Sequence, residues 1–148
     1  MKICIWITKI FDLGGTKRVV SLLANELVKE HEVTIMTYED RFREDRTMYH
    51  LSEDINVDFI DNSQFVNKHH TPAFCARYLV KKLNDRSGLF NKKSLNPILA
   101  EAIFSKKTRE KWVEYFNSQD YDVILTTASL SLRLAMIAPR LKAATIGW

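Results

Sequence analysis

The chain has 148 residues, of which 46% are hydrophobic and 27% charged; this suits one compact domain with its own core and excludes wholesale disorder. No run approaches the roughly 20 apolar residues needed to span a bilayer, which excludes a transmembrane helix. The net charge of +4 favours anionic partners without choosing among nucleic acid, a membrane surface and an acidic substrate.

Residues 2–8, Lys-Ile-Cys-Ile-Trp-Ile-Thr, read as a strand buried on both faces of a parallel sheet. The run is short for a signal peptide, Lys9 interrupts it and no small-residue cleavage site follows. Cys4 inside it reads as a small buried hydrophobe, and Cys75 is far away in sequence. A reducing cytoplasm and no disulfide are therefore expected. After Gly14 and Gly15, Thr16 offers a hydroxyl N-cap, and Val19, Val20, Leu23, Leu27 and Val28 share one face of a helix over about 17–30. Glu32 to Tyr38 is rich in β-branched residues and forms a second strand, so the chain opens β-α-β with a right-handed crossover.

Residues 39–54 are charged and unpatterned, as in a loop, and Ile55 to Ile60 alternates as a third strand. From 66 to 117 the chain reads as helical and basic. Phe74, Tyr78, Leu79 and Leu83 recur at helical spacing, and Asn84 to Gly88 breaks the pattern. A second helix is expected from near Pro97 through Ile98, Leu99, Ala102 and Ile103 to Trp112, Val113 and Phe116. Tyr121 to Thr127 is a fourth strand, Leu130 to Leu141 a helix, and Ala143 to Trp148 a fifth strand. No helix follows that last strand to cover it, which suggests a domain belonging to something longer.

The most informative chemistry lies where the first strand runs into Gly14-Gly15 and then a helix. Missing Cβ atoms let an anion approach the main chain, and the helix N-terminus offers it partial positive charge. The dinucleotide fingerprint Gly-x-Gly-x-x-Gly is absent, because the next glycine is Gly88; this counts against an ordinary NAD or FAD domain. Glu39 stands where a ribose-binding acid would, although a glutamate at a strand end is commonly a solvated loop residue.

Several segments together carry a family resemblance. They are Lys2-Ile leading an apolar strand, Gly14-Gly15-Thr16-Lys17-Arg18-Val19-Val20, a helix with Leu23-Ala24-x-x-Leu27, and His31-Glu-Val33-Thr-Ile-Met-Thr37. They resemble the N-terminal domain of GT-B glycosyltransferases, in particular the family 4 glycosyltransferases of surface polysaccharides, teichoic acids and glycolipids. The likeness returns in Tyr121-Asp-Val-Ile-Leu-Thr-Thr127 and Ile146-Gly147-Trp148, whereas 39–117 matches in architecture only.

The resemblance implies an α/β Rossmann-like, doubly wound parallel sheet of order 3-2-1-4-5. It implies that 1–148 is a single acceptor-side domain of a retaining, two-domain hexosyltransferase. The donor-binding domain and the catalytic residues would then lie beyond Trp148, and the fragment alone would be inactive. Gly14, Gly15 and Thr16, with Lys17 and Arg18, would line the diphosphate of a UDP- or GDP-sugar; Lys17 and Arg18 read equally as solvated first-turn residues. Neither metal nor cofactor is implied, since the nucleotide-sugar is a substrate; the acceptor would be a glycan or a lipid-linked sugar. The family places glycine where Glu30 stands, so that turn must be made differently or at a cost of about 1 kcal/mol.

Thr126, Thr127 and Ser129 end the fourth strand, where open α/β sheets bind ligands; they suit acceptor contact or capping of the next helix. His69-His70 lacks further ligands at metal-binding spacing. Arg77, Lys81, Lys82, Arg86, Lys92, Lys93, Lys106, Lys107, Arg109 and Lys111 are interspersed with Tyr78, Phe90, Phe104 and Trp112. Such a surface could dock a cytoplasmic enzyme on an anionic inner leaflet at about 1 kcal/mol per cation. Glu101, Glu110 and Glu114 interleave with these cations, as on an ordinary salt-bridged helix. No nucleic-acid-binding signature is present. The alternatives are a non-catalytic Rossmann-type nucleotide-binding or interaction domain, and an NAD(P)-dependent oxidoreductase without the usual fingerprint.

Overall fold

A computed structural model describes residues 1–65, 79, 104–127 and 130–147. Five strands form one parallel sheet: β1 (Lys2–Trp6), β2 (Glu32–Thr37), β3 (Asn56–Phe59), β4 (Val123–Thr126) and β5 (Ala144–Gly147). Their spatial order is β3-β2-β1-β4-β5, the Rossmann-like α/β topology expected from the sequence. Ile5 of β1 sits level with Ile35 of β2 on one side and Leu125 of β4 on the other.

Strand periodicity sends alternate side chains to opposite faces of the sheet. Ile3, Ile5, Val33, Ile35 and Leu125 join Val20 and Ala24 of α1 (Gly15–Leu27) in one buried cluster, extended by Val57 and Phe59 of β3. Trp6 belongs to the opposite face, where its ring meets Phe116 edge-on at 5.2 Å. Phe116 lies on α2 (Lys106–Ser118), and β4 leads to the short helix α3 (Ser131–Ile137). Amphipathic helices thus pack their apolar faces on a strand set that is apolar on both faces, the condition for a doubly wound sheet.

The chain divides into two compact units, Met1–Asn62 with Val113–Trp148, and Ser63–Trp112. The first contains the whole sheet. Within the second, Phe65 stacks on Trp112 at 3.8 Å, and the Lys111 ammonium donates to the Gln64 carbonyl at 2.8 Å. The Ser105 hydroxyl accepts the Thr108 N–H at 3.3 Å and caps α2. That cap corrects the expectation of a helix continuing from Pro97: Phe104 and Ser105 are not helical, and α2 begins at Lys106. The expected elements over 66–103, with His69-His70 and most of the basic segment, lie outside the described residues apart from Leu79.

Two local expectations at α1 also change. Gly14, and not Thr16, is the N-cap, and no side chain caps the helix. The helix also starts earlier than expected, and of the two adjacent valines expected on its apolar face Val20 is buried whereas Val19 is half exposed. At the far end the chain leaves α1 through consecutive hydrogen bonds from Glu30 N–H and His31 N–H to the Leu27 carbonyl. Among the described residues only His50 and Asp120 are non-glycines with positive φ. Glu30 therefore makes its turn without the left-handed conformation, and the expected penalty is not incurred. No helix among the described residues is long and apolar enough to cross a membrane.

Candidate functional site at the carboxyl edge of the sheet

The loop between β1 and α1 is built against the end of β2. Ile7 N–H donates to the Met36 carbonyl at 2.9 Å and Tyr38 N–H to the Thr8 carbonyl at 3.3 Å, so pairing continues past both strand ends. Glu39 then fixes the loop from below. Its Oε2 accepts the N–H groups of Ile10 at 2.5 Å and Phe11 at 2.9 Å. The side chain is buried, and Oε1 has no hydrogen-bond partner among the described residues. The reading of Glu39 as a solvated loop residue is thereby corrected: it braces the glycine loop. Its signal in the sequence was a lone carboxylate directly after a strand whose neighbour ends in a long loop, and that pattern does not distinguish a brace from a ribose ligand.

Beyond Phe11 the loop opens to solvent. The Asp12 carboxylate accepts Leu13 N–H at 2.9 Å; that bond, and next Lys9 at 3.5 Å, hold its pKa below the ordinary value. Gly14 N–H donates to the Tyr49 hydroxyl at 2.9 Å. Tyr49 is positioned by the segment after β2, which Asn25 of α1 ties down through the His50 carbonyl and Ser52 N–H, each at 2.9 Å. Sequence patterning could not find Tyr49, because that segment has no periodicity to read.

The sequence-predicted donor residues are neighbours at the start of α1. The first intrahelical bond runs from Arg18 N–H to the Gly14 carbonyl at 3.2 Å, which leaves the N–H groups of Gly15, Thr16 and Lys17 ahead of the ladder. The first turn has no acidic residue and no side-chain cap. Among the described residues a Cβ added at Gly15 would meet nothing within 4 Å, so packing against them does not require glycine there. The Lys17 side chain folds back over Gly14, with its Nζ 3.0 Å from the place a Cβ would occupy. Arg18 is exposed.

Thr126 and Thr127 are buried, and the Thr126 hydroxyl faces the Ser131 hydroxyl at 3.5 Å; Ser129 lies outside the described residues. On the same edge, Tyr38 accepts a 2.9 Å bond from the Trp6 indole and meets Arg133. Burial pushes the Tyr38 phenol up to about 12. A second polar group lies within the sheet's Trp6 face. There Tyr115 donates to Asp58 at 2.7 Å, and burial raises the pKa values of Tyr115, Tyr121 and Cys4. Among the described residues no group of three or more His, Cys, Asp or Glu is placed to hold a metal ion.

No protein-family model matches the chain, and no curated protein matches it. Chemically, the carboxyl edge offers an uncapped helix start with two cations in its first turn, held by a buried carboxylate brace.

Proposed function

We propose that this chain is the acceptor-side half of a retaining glycosyltransferase that uses a UDP- or GDP-sugar. In this reading Gly14, Gly15 and Thr16 hold the donor's diphosphate. The observation that carries it is the start of α1: the N–H groups of Gly15, Thr16 and Lys17 lie ahead of the helical ladder, no described side chain caps them, no described atom lies within 4 Å of a Cβ at Gly15, and the Lys17 ammonium sits beside Gly14. Main-chain donors at a helix N-terminus favour negative charge, and they favour it most when charge builds on a departing nucleoside diphosphate. Arg18 adds positive potential.

The acceptor is a glycan or a lipid-linked sugar of surface polysaccharide or glycolipid synthesis. Thr126 ends β4 and Thr127 follows it, at the sheet edge where the acceptor would be met; Ser129 joins them in this reading from its place in the sequence alone. The cations at Lys92 and Lys93 are proposed to dock the protein on anionic lipid at the inner face of the cell membrane. The residues that promote cleavage of the donor's sugar–phosphate bond, as the acceptor hydroxyl forms the new glycosidic bond and UDP or GDP leaves, are assigned to a second domain.

The test is calorimetric titration of the chain with UDP and GDP, repeated with Gly15→Val. Binding of one nucleotide, weakened at least about tenfold by the added side chain with the melting temperature unchanged, is expected. Equal affinity in the variant would remove the site.

A further inference from the structure

We propose that a cavity beside the glycine loop binds an uncharged, hydroxyl-rich ring, that is, a glycosyl residue. It lies at the carboxyl ends of β1 and β2, occupies about 330 Å³ and is lined by Thr8, Lys9, Tyr38, Glu39, Asp40 and Arg43. Its size is at the small end of ligand sites, suited to a sugar ring rather than to a whole nucleotide-sugar.

The charges of its lining select among ligands. Lys9 and Arg43 are balanced by Glu39 and Asp40, so an anion such as phosphate gains from two groups and is repelled by the other two. A sugar hydroxyl both donates and accepts, and a ring carrying several can satisfy carboxylates and cations together. Thr8 contributes a hydroxyl of the same dual character, and Tyr38, whose oxygen already accepts from the Trp6 indole, contributes its ring edge. Glu39 adds an independent observation: its Oε1 is buried and lacks a donor among the described residues, an arrangement that folded proteins rarely leave in place. A hydroxyl brought to this carboxylate supplies that donor.

The same carboxylate holds Ile10 and Phe11 at the head of the glycine loop, which links the cavity to Gly14–Thr16 through five residues of chain or fewer. This inference rests on the proposed function when it names the occupant as the acceptor, and it moves acceptor recognition from the β4 edge to the β1–β2 edge.

The test is a backbone-amide NMR titration of the ¹⁵N-labelled chain with two separate probes. One is a set of methyl glycosides (glucoside, galactoside and N-acetylglucosaminide) at up to about 50 mM; the other is inorganic pyrophosphate. Saturable shifts at Thr8, Lys9, Asp40 and Arg43 with at least one glycoside are expected, together with at least about fivefold weaker binding in Asp40→Asn and Arg43→Ala. Both altered side chains belong to exposed residues, so the variants should keep the wild-type melting temperature. Absence of saturable shifts with every glycoside, or pyrophosphate saturating the cavity amides, would overturn the inference. Failure of pyrophosphate to shift Gly15, Thr16 and Lys17 would instead count against the diphosphate site, whatever the glycosides do.

Discussion

The N–H of Gly14 donates to the hydroxyl of Tyr49 at 2.9 Å, and the same hydroxyl lies 3.3 Å from the Asp12 carbonyl and 3.4 Å from the Gly14 carbonyl. One phenol from the segment after β2 therefore occupies a main-chain donor at the mouth of the proposed diphosphate site. A phosphate oxygen arriving there competes with it.

Replacing Tyr49 by phenylalanine removes that competitor and leaves the ring. Pyrophosphate affinity is expected to rise about threefold, a fraction of one neutral hydrogen bond. Calorimetry of the variant measures it, and weaker binding would mean that the phenol serves the ligand.

Glu39 tests the brace. Glu39→Ala leaves two buried N–H groups without acceptors, and each such loss costs about 1–3 kcal/mol. A destabilisation of about 2–6 kcal/mol in urea unfolding is expected, with Glu39→Gln intermediate because the amide keeps one acceptor oxygen. A loss below about 0.5 kcal/mol, the size of an ordinary surface substitution, would show that the loop holds itself.

The contrast between Glu39 and β1 explains what the sequence could convey. Isoleucines at positions 3, 5 and 7, with Cys4 and Trp6 between them, state strand period and burial on both faces directly, and the order of the sheet came with the family resemblance. The start of α1 was legible as a strand–glycine–helix junction. Its cap was not, because a threonine hydroxyl one position inside the helix looks the same in sequence as one at the boundary. The partners of Glu39 and Tyr49 are 28 to 37 residues away, and no local pattern encodes contacts of that span. The break before Lys106 escaped for a different reason. Apolar residues recur at helical spacing on both sides of Ser105, and only the reach of its hydroxyl to Thr108 N–H marks the start of α2.

Alkali should unfold this protein early. Tyr38, Tyr115, Tyr121 and Cys4 all have folded pKa values raised first of all by burial, from ordinary values of 10.0 for the phenols and 9.0 for the thiol. Their protonated forms contribute stability that is complete below those unfolded values and is lost as pH rises through the folded ones. For Tyr38 the window runs from about 10 to about 12, and near pH 10.5 its share of the loss is about 1 kcal/mol. Tyr115 and Tyr121 are only half buried, so solvent screening reduces theirs. Urea midpoints at pH 8 and about 10.5 should differ, and Tyr115→Phe should narrow the gap. Equal midpoints would contradict the buried protonated cluster.

Two glycines should answer the same substitution in opposite ways. A Cβ at Gly147 would lie 3.1 Å from the Ser131 Cβ, so Gly147→Ala should destabilise by about 1–2 kcal/mol through overpacking where α3 meets β5. Gly15→Ala enters open space in a helix and should stabilise by about 0.5–1 kcal/mol. Thermal unfolding of both variants decides this, and equal effects would contradict the assigned packing.

The central claim is tested most directly by a crystal structure of the chain grown with saturating UDP. Diphosphate oxygens within about 3.2 Å of the main-chain nitrogens of Gly15 and Thr16, with Lys17 turned onto them, are the predicted result. UDP bound elsewhere, with the Gly14–Tyr49 contact intact and no phosphorus near the start of α1, would contradict the account.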